Sequence, residues 1–419
     1  MTSTRPDHQR FRWLASRLPA PNGRHLALLT GARQTGKTSL ARGSYPALRY
    51  LDLDDLEVQT ELRGVRPSSW GALVGVAVLD EAQKEPSVLD KVLFALEGKE
   101  CDFSVLLASS RSLQKDETLS RNASRYELWP LMPSELRHAP EDSPSVPLLD
   151  SLFDCREPID SVLEHHPEIL IGKEDAQRRH AISHLATWGG MPELLWLDDE
   201  ERRRWLREYQ RDYVERDLAD LARLTDLQPF LSLMKFCMLR SGQMLSFSKL
   251  ARDAAIGTTT ARRYLDYLKL SYQLVLLPPF TRSLTSSVVK SPKIYWVDLG
   301  LLRQGTRQWG DLTGEQFETL VIAEVHKWVS TMARQVKLYF YRTRSGLEVD
   351  LLVETRHGML GFEIKKRERV FSSDAKGLRA VAQRIGETWL GGGIIYRGDR
   401  VFPVSPTASI WALPVHCLF

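Results

Sequence analysis

The chain has 419 residues, of which 43% are hydrophobic and 26% are charged, and its formal net charge is +4. These values are ordinary for a globular protein of about two to four domains, and they exclude a low-complexity chain. No apolar run is long enough to span a membrane and the N-terminus has no apolar signal core, so we expect a cytoplasmic protein without a membrane partner. The four cysteines are far apart in the sequence, which favours buried thiols over a disulfide framework.

The most specific motif follows an apolar run at residues 26–29. Gly31, Gly36, Lys37 and Thr38 have the spacing of a phosphate-binding loop between a strand and a helix. The glycines allow backbone N–H groups to face phosphate oxygens, and the N-terminus of the helix adds positive charge. Lys37 is expected to reach the β- and γ-phosphates of ATP, and the Thr38 hydroxyl is expected to bind Mg²⁺.

Two more apolar segments are expected to end beside this loop, because parallel strands bring their carboxyl ends to one edge of a sheet. Residues 74–79 precede Asp80, which would hold Mg²⁺, and Glu81, which would orient the attacking water. Residues 103–108 precede Ser109, which either contacts the γ-phosphate or only forms a turn. The predicted ATP-binding residues are Gly31, Ala32, Arg33, Gln34, Thr35, Gly36, Lys37, Thr38, Ser39, Asp80 and Ser109.

Two downstream arginines are candidates for the cation that stabilises the transition state. Arg121 and Arg125 lie in the segment LSRNASRYELWPL. Either is a candidate arginine finger, acting on its own nucleotide or on that of a neighbouring subunit in a homo-oligomer. Each is equally compatible with a solvated surface position. With Lys37 and Glu81 they complete the predicted catalytic set of an ATPase.

The order of these segments resembles a known family. AAA+-type ATPases of bacteria and archaea that carry a C-terminal domain of unknown function are similar to this chain in GARQTGKTSL, LDLDD, VAVLDEAQKEPSVLDKV, LLASS and LWPLMPSEL. The resemblance extends over nearly the whole chain and implies an α/β protein that binds and hydrolyses ATP with Mg²⁺. The family usually has a Gly-Arg pair where this chain has Arg121-Asn122, so the role of the finger would pass to Arg121 or Arg125 or be lost.

The middle of the chain is predicted to be mainly helical. Residues 141–147 are rich in proline, serine and acids, which indicates a linker. Residues 150–197 have a broken helical pattern, which the resemblance implies is a lid over the nucleotide, and residues 198–224 indicate an amphipathic helix or helix pair. We divide the chain into an AAA+-like P-loop domain (1–140), a linker and helical lid (141–228), a winged-helix domain (229–310) and a nuclease-like domain (311–419).

Residues 245–268, LSFSKLARDAAIGTTTARRYLDYL, have helix-turn-helix spacing, with Gly257 at the turn. Two predicted strands, 273–277 and 293–297, would follow as a wing. The second helix would present residue types that contact phosphates and base edges, which makes DNA a candidate partner. Five basic and two acidic residues between positions 246 and 270 make the segment only mildly basic, so a protein partner stays equally open. The candidate nucleic-acid residues are Thr258, Thr259, Thr260, Arg262 and Arg263.

The C-terminal region contains a predicted β-hairpin with acids on one face. Residues 348–354 and 359–365 are its two strands, and a turn centred on Arg356-His357 would place Asp350 directly opposite Glu363. Two opposed carboxylates repel each other unless a cation lies between them. The pattern therefore predicts a divalent cation at this position, and a shift of the register by one residue would abolish the site.

Three acids and a lysine of this region resemble the PD-(D/E)XK nuclease superfamily. Asp350 and Glu363 would bind Mg²⁺ or Mn²⁺, Lys365 would orient water, and Glu318 on the preceding helix would add a third carboxylate. The resemblance implies a restriction-endonuclease-like fold, although a structural ion-pair cluster has the same spacing. Two functions are open: an ATPase that acts on DNA with a C-terminal domain that binds or cleaves nucleic acid, and a nucleotide-gated switch whose C-terminal domains contact a partner protein.

Overall fold

The described residues form three β-sheets that follow one another along the chain, each associated with its own helices. The computed structural model describes residues 9–21, 25–98, 103–108, 123–169, 171–213, 227–281 and 291–419. Within these ranges no helix combines the length and the hydropathy that a bilayer-spanning segment requires.

The first sheet has the strand order β2-β3-β4-β1-β5, and all its neighbouring strands are parallel. Every residue of β1 after His25 is buried, as expected for a central strand that is covered on both faces. The strands are β1 (His25–Thr30), β2 (Arg49–Asp52), β3 (Ala77–Asp80), β4 (Phe103–Ala108) and β5 (Ala123–Glu127). The helices between them are α1 (Lys37–Ser44), α2 (Leu56–Gly64), α3 (Trp70–Leu73) and α4 (Pro86–Glu97).

The predicted strand at residues 74–79 begins later than expected. Helix α3 occupies residues 70–73, and Gly75 has a φ of 66°, a left-handed conformation that separates the helix from the strand. β3 then begins at Ala77, is buried along its whole length and ends at Asp80. The acid that the motif analysis selected therefore lies at the carboxyl end of a parallel strand.

Helices make up most of the described region between residues 133 and 306. α9 begins with a capping box in which the Asp198 carboxylate accepts from the N–H groups of Glu200 and Glu201 at 2.9 Å. The predicted helical region up to residue 224 lies outside the described residues after Tyr213. The helices are α5 (Pro133–Arg137), α6 (Leu148–Phe153), α7 (Asp160–Leu163), α8 (Lys173–Trp188), α9 (Asp199–Asp212), α10 (Gln228–Leu239), α11 (Phe247–Asp253), α12 (Thr258–Leu270) and α13 (Leu299–Thr306).

A small antiparallel sheet with the order β6-β8-β7 lies within this helical region. Its strands are β6 (Gln243–Met244), β7 (Leu274–Leu277) and β8 (Lys293–Trp296). All four residues of β8 are buried, including its first residue, Lys293. The sheet contacts α10 and α12 of the helical region, and it also contacts the C-terminal helix at residues 314–332. Lys293, at the start of β8, meets the acids described below.

The C-terminal domain is built on a mixed sheet with the order β13-β14-β12-β11-β10-β9. β9, β10 and β11 are antiparallel neighbours, whereas β12 is parallel to β11 and β14 is parallel to β12. β13 and β14 were not predicted, because Pro403 and the short length of these strands hide their pattern. The elements are α14 (Gly314–Met332), β9 (Lys337–Arg342), β10 (Glu348–Glu354), β11 (Met359–Lys365), α15 (Lys376–Ile385), β12 (Trp389–Tyr396), β13 (Phe402–Ser405), β14 (Ile410–Pro414) and α16 (Val415–Leu418).

The long helix α14 links the three parts of the molecule. The ring of Trp328 lies 5.1 Å from that of Trp13, and its Nε1 donates to Asp150 at 2.8 Å. At the other end of the helix, the hydroxyls of Thr319 and Ser241 are 2.9 Å apart. One apolar core consequently continues from the N-terminal segment through the middle helices into the C-terminal sheet.

Candidate functional site

The loop between β1 and α1 is a tight turn of the kind that its motif predicts. Gln34 and Gly36 have φ angles of 62° and 96°, both in the left-handed region. At Gly31 a Cβ atom would lie 2.1 Å from the carbonyl oxygen of Leu128, so only glycine fits there. α1 begins at Lys37, so its N-terminal N–H groups and the positive end of its dipole face the loop.

The Lys37 side chain bends back across this loop. Its Nζ donates to the carbonyl oxygens of Gly31 at 3.1 Å and Ala32 at 2.9 Å, and the residue is only 6% exposed. These two carbonyl contacts hold the buried ammonium against the backbone of the loop, an arrangement suited to a polyphosphate. The predicted ATP-binding residues on the loop and the first turn of α1 are Gly31, Ala32, Arg33, Gln34, Thr35, Gly36, Lys37, Thr38 and Ser39.

Thr38 and Asp80 meet at the carboxyl edge of the parallel sheet. The Thr38 hydroxyl donates to Oδ2 of Asp80 at 2.6 Å, the Tyr50 hydroxyl donates to the same oxygen, and the Glu81 N–H donates to Oδ1 at 2.8 Å. Burial and the bond to Asp80 raise the pKa of Tyr50 above its usual range, so the phenol stays a donor. A hydroxyl and a carboxylate in contact are hard oxygen ligands, and they fit a Mg²⁺ ion.

The other predicted residues of the nucleotide site have separate surroundings. Glu81 follows β3 in a left-handed conformation with a φ of 50°, and its carboxylate accepts from Gln83 Nε2 at 2.5 Å. Arg125 is exposed on β5, the edge strand of the sheet, two residues before the end of that strand. Ser109 and Arg121 lie outside the described residues.

Arg12 is a contact of the phosphate-binding loop that the sequence analysis missed. Its guanidinium donates to the carbonyl oxygens of Thr35 at 3.3 Å and Trp129 at 2.5 Å, and it lies 3.5 Å from the Glu135 carboxylate. Burial lowers the pKa of Arg12 and raises that of Glu135. No motif marks Arg12, because its contact with Thr35 joins positions that are 23 residues apart in the chain.

Tyr272 connects the nucleotide-binding sheet to the helix-turn-helix region. This buried residue follows α12 in a left-handed conformation with a φ of 63°. Its hydroxyl contacts the Thr30 hydroxyl at the end of β1 and lies 3.4 Å from Glu127 at the end of β5. A strained, buried tyrosine therefore contacts the residue that immediately precedes the phosphate-binding loop.

Helix α12 carries the candidate nucleic-acid residues on its solvent side. The Arg262 guanidinium carbon lies 4.0 Å above the ring of Phe247 on α11, which orients this side chain. Ala261, Tyr264 and Leu265 form the buried face of the same helix. The exposed residues are Thr258, Thr259, Arg262 and Arg263, and Thr260 is half-buried.

The register predicted for the C-terminal hairpin is confirmed. Leu351 pairs with Phe362, so the adjacent residues Asp350 and Glu363 oppose each other. The Asp350 carboxylate accepts from the Ile364 N–H at 2.9 Å, and Glu363 accepts from Lys365 Nζ at 3.0 Å. Burial and the nearby Asp350 raise the pKa of Glu363 to about 8.

A second lysine, Lys293, enters this acidic cluster and was not predicted. Its Nζ lies 2.8 Å from Glu318, 2.7 Å from Glu348 and 3.6 Å from Asp350, and its side chain is 3% exposed. The Tyr295 hydroxyl also donates to Glu318, at 2.5 Å. Burial disfavours the ammonium, yet the three carboxylates outweigh burial and raise the pKa of Lys293. The only local signal was a lysine at the start of an apolar strand.

The predicted three-carboxylate metal site is not assembled in this structure. Within the described ranges, no group of three or more His, Cys, Asp or Glu residues could hold a metal ion. Lys293 lies between Glu318 and Asp350, and Glu363 forms an ion pair with Lys365. The charge that the opposed carboxylates require is thus supplied by ammonium groups.

Comparisons with known sequences agree with the description of the N-terminal domain. Residues 23–137 match the family described as an AAA domain, and residues 179–308 and 313–418 match two domains of unknown function, DUF8612 and DUF4143. The AAA match and the geometry of the phosphate-binding loop define the N-terminal region as a P-loop ATPase domain of the AAA+ type. It is followed by a C-terminal domain with a mixed sheet.

Two relatives match most of this chain. Uncharacterised proteins of Mycobacterium bovis and Mycobacterium tuberculosis are each 26% identical over 394 residues, which is 91% of this chain and 78% of each relative. Among solved structures, a Walker-type ATPase of Pyrococcus abyssi has a TM-score of 0.39 and 13% identity, with 67% of this chain and 91% of that chain covered. The FIGL-1 AAA domain in complex with ADP has a TM-score of 0.25 and 14% identity, with 61% and 79% covered.

Proposed function

We propose that this protein is a Mg²⁺-dependent ATPase that acts on DNA. The observation that carries the proposal is the contact between Thr38 and Asp80 at 2.6 Å beside the buried ammonium of Lys37. In this proposal Lys37 binds the β- and γ-phosphates, while Thr38 and Asp80 hold Mg²⁺. Glu81 orients the attacking water, and its contact with Gln83 supports that orientation.

The ATPase assignment is tested by the turnover of three variants. Lys37→Ala removes the phosphate-binding ammonium and Glu81→Gln removes the base, so each is expected to lower ATP turnover at least 100-fold. The matched control is Lys84→Ala, which removes a lysine of the same domain that pairs with Asp54 at 3.0 Å. Turnover close to wild type in Lys37→Ala and Glu81→Gln would refute the assignment.

We further propose that α10–α12 and the β7-β8 hairpin form a winged helix in which α12 contacts DNA. Its support is the order of these elements and the exposed face of α12, where Arg262 and Arg263 adjoin Thr258 and Thr259. Hydroxyl and guanidinium groups at a helix N-terminus are suited to phosphate oxygens and base edges. Tyr272, directly after α12, gives the nucleotide site a physical connection to this face.

The C-terminal domain is proposed to have a restriction-endonuclease-like fold that binds nucleic acid. The order of its elements supports this proposal: a long helix, three antiparallel strands, a further helix and a parallel strand. Exposed basic side chains follow β11, among them Lys366 and Arg369. They are suited to a phosphate backbone at the edge of the sheet.

DNA contact is tested by a binding titration at several salt concentrations. Arg263→Ala is expected to weaken binding and to lower the slope of log affinity against log salt by about 1, because one phosphate contact is lost. Arg156→Ala is the control, because Arg156 is exposed and lies outside the helix-turn-helix. Equal slopes for wild type and Arg263→Ala would remove α12 from the DNA interface.

A second candidate function is a nucleotide-gated switch in which the C-terminal domain has no catalytic role. The observation that favours it is the position of Lys293 among Glu318, Glu348 and Asp350. In this case ATP binding changes the contact of the helix-turn-helix with a partner protein. Negligible DNA affinity even at low salt would favour the switch over the DNA-acting ATPase.

A further inference from the structure

Lys293 is contributed to the acidic cluster by a different part of the chain. It is the first residue of β8, which pairs with β6 and β7, whereas Glu318 is on α14 and Glu348 and Asp350 are on β10. Its ammonium lies 2.7–2.8 Å from two carboxylates and 3.6 Å from the third. Distances of this kind are those of charge-assisted contacts, and they join the small sheet to the C-terminal domain.

The same position is where a divalent cation would be needed. The resemblance to PD-(D/E)XK nucleases implies that Glu318, Asp350 and Glu363 bind such an ion. A divalent ion bound by Glu318 and Asp350 would lie next to the buried ammonium, and the two cations would repel each other. Glu363 is in addition bonded to Lys365 at 3.0 Å. The residues present therefore do not fit the ion while Lys293 is in place.

The ammonium lies at the wall of a cleft and is almost completely covered. Lys293 is 3% exposed, and together with Glu318, Glu348 and Asp350 it lines a cleft of about 450 Å³. Arg342, which also lines this cleft, pairs with the second oxygen of Glu348 at 2.9 Å. The carboxylates are thus contacted by fixed cations from β8 and from β9, and both cations belong to the chain itself.

We infer that the ammonium of Lys293 takes the place of the divalent cation in the C-terminal domain, so that this domain is a metal-independent module that does not hydrolyse phosphodiesters. The inference rests on the proposed nuclease-like fold of this domain, and it is independent of ATP hydrolysis. Lys293 also joins the hairpin of the helix-turn-helix region to the C-terminal domain through its contacts with these carboxylates. Removing the ammonium would leave three buried or half-buried carboxylates without this shared cation.

The experiment is a Mn²⁺ titration of the full-length chain, followed by electron paramagnetic resonance in the absence of nucleotide. An Asp80→Asn background removes the carboxylate of the ATPase site. The Asp80→Asn variant is the parent of the series, and we expect it to show no Mn²⁺ binding that Asp350→Asn would remove. Lys293→Ala in the same background is expected to gain one Mn²⁺ site, at least tenfold tighter than any site of the parent, and adding Asp350→Asn is expected to abolish it.

A Lys293→Arg variant and a DNA-cleavage assay complete the experiment. Lys293→Arg keeps a cation in the cluster and is expected to behave like the parent, and this comparison holds even when Lys293→Ala does not fold. Asp350-dependent Mn²⁺ binding by the parent, or Mn²⁺-dependent DNA cleavage that Asp350→Asn removes, would overturn the inference. A folded Lys293→Ala without a new site would overturn it too. ATP turnover is measured separately, on the protein that keeps Asp80. A lack of turnover there would count against the proposed ATPase and not against this inference.

Discussion

Arg12→Met tests whether the buried ion pair beneath the phosphate-binding loop stabilises that loop. The side chains of Arg12 and Glu135 are 10% and 1% exposed, and their charged groups are 3.5 Å apart. The variant removes the cation but leaves a buried carboxylate and a loop carbonyl, Thr35 O, without this donor. We expect both the free energy of unfolding and the affinity for ATP to decrease.

The magnitude follows from the geometry of the pair. Removal of one partner of a buried ion pair costs about 3–5 kcal/mol. Glu135 keeps two backbone donors, the N–H groups of Trp13 at 2.9 Å and Met132 at 3.0 Å. We therefore expect a loss near the lower limit, about 3 kcal/mol in the free energy of unfolding. Loss of the bond to Thr35 is expected to add a roughly fivefold rise in the Kd for ATP, which corresponds to about 1 kcal/mol.

The assay is urea unfolding followed by tryptophan fluorescence, because Trp13 and Trp129 lie at this contact. Arg17→Met is the matched control: Arg17 is in the same N-terminal segment but donates to a neutral acceptor, Thr331 O, at 2.7 Å, so about 1 kcal/mol is expected. The double variant Arg12→Met/Glu135→Gln should recover part of the loss, because a neutral amide replaces the unpaired carboxylate while its single oxygen accepts from only one of the two backbone N–H groups.

Equal losses of stability in Arg12→Met and Arg17→Met would refute the role of the ion pair. A double variant no more stable than Arg12→Met would refute it too, because the cost would then not come from an uncompensated charge. A normal Kd for ATP in Arg12→Met would separate the two parts of the prediction. It would show that the pair stabilises the fold without positioning the loop.

Gly31→Ala should abolish ATP binding, measured by calorimetry, because its Cβ would lie 2.1 Å from Leu128 O, whereas Gly43→Ala, with nothing within 4 Å of its Cβ, should bind normally. Burial raises the pKa of Glu324 from its ordinary value of 4.5 to about 7, so the folded protein holds this proton more tightly than the unfolded chain does. The resulting contribution to the free energy of unfolding, about 3 kcal/mol, is complete below about pH 4.5 and is lost as the pH rises through 7. Urea unfolding at pH 5 and pH 8 should show the loss, and Glu324→Gln should reduce it. Tyr272→Phe removes a buried hydroxyl contact and should lower the unfolding free energy by about 1 kcal/mol; an unchanged urea midpoint would exclude a role for that contact.

The sequence determined the parts of this protein that depend on local spacing. Gly36, Lys37 and Thr38 follow an apolar strand directly, so the turn and the start of α1 could be predicted from a few adjacent residues. The opposition of Asp350 and Glu363 followed in the same way, because a short turn fixes the register of a hairpin. In both cases the chain separation is small and the side-chain period of the element supplies the geometry.

The tertiary structure alone decided which groups complete these sites. Lys293 reaches Glu318 across 25 residues and Tyr272 reaches Thr30 across 242 residues, and contacts over such separations leave no periodic pattern in the sequence. Spacing predicted that a cation lies between the C-terminal carboxylates, but only the packing of β8 against α14 and β10 showed an ammonium there. The physical reason is that a carboxylate cluster requires positive charge, while its source depends on which chain segment folds next to it.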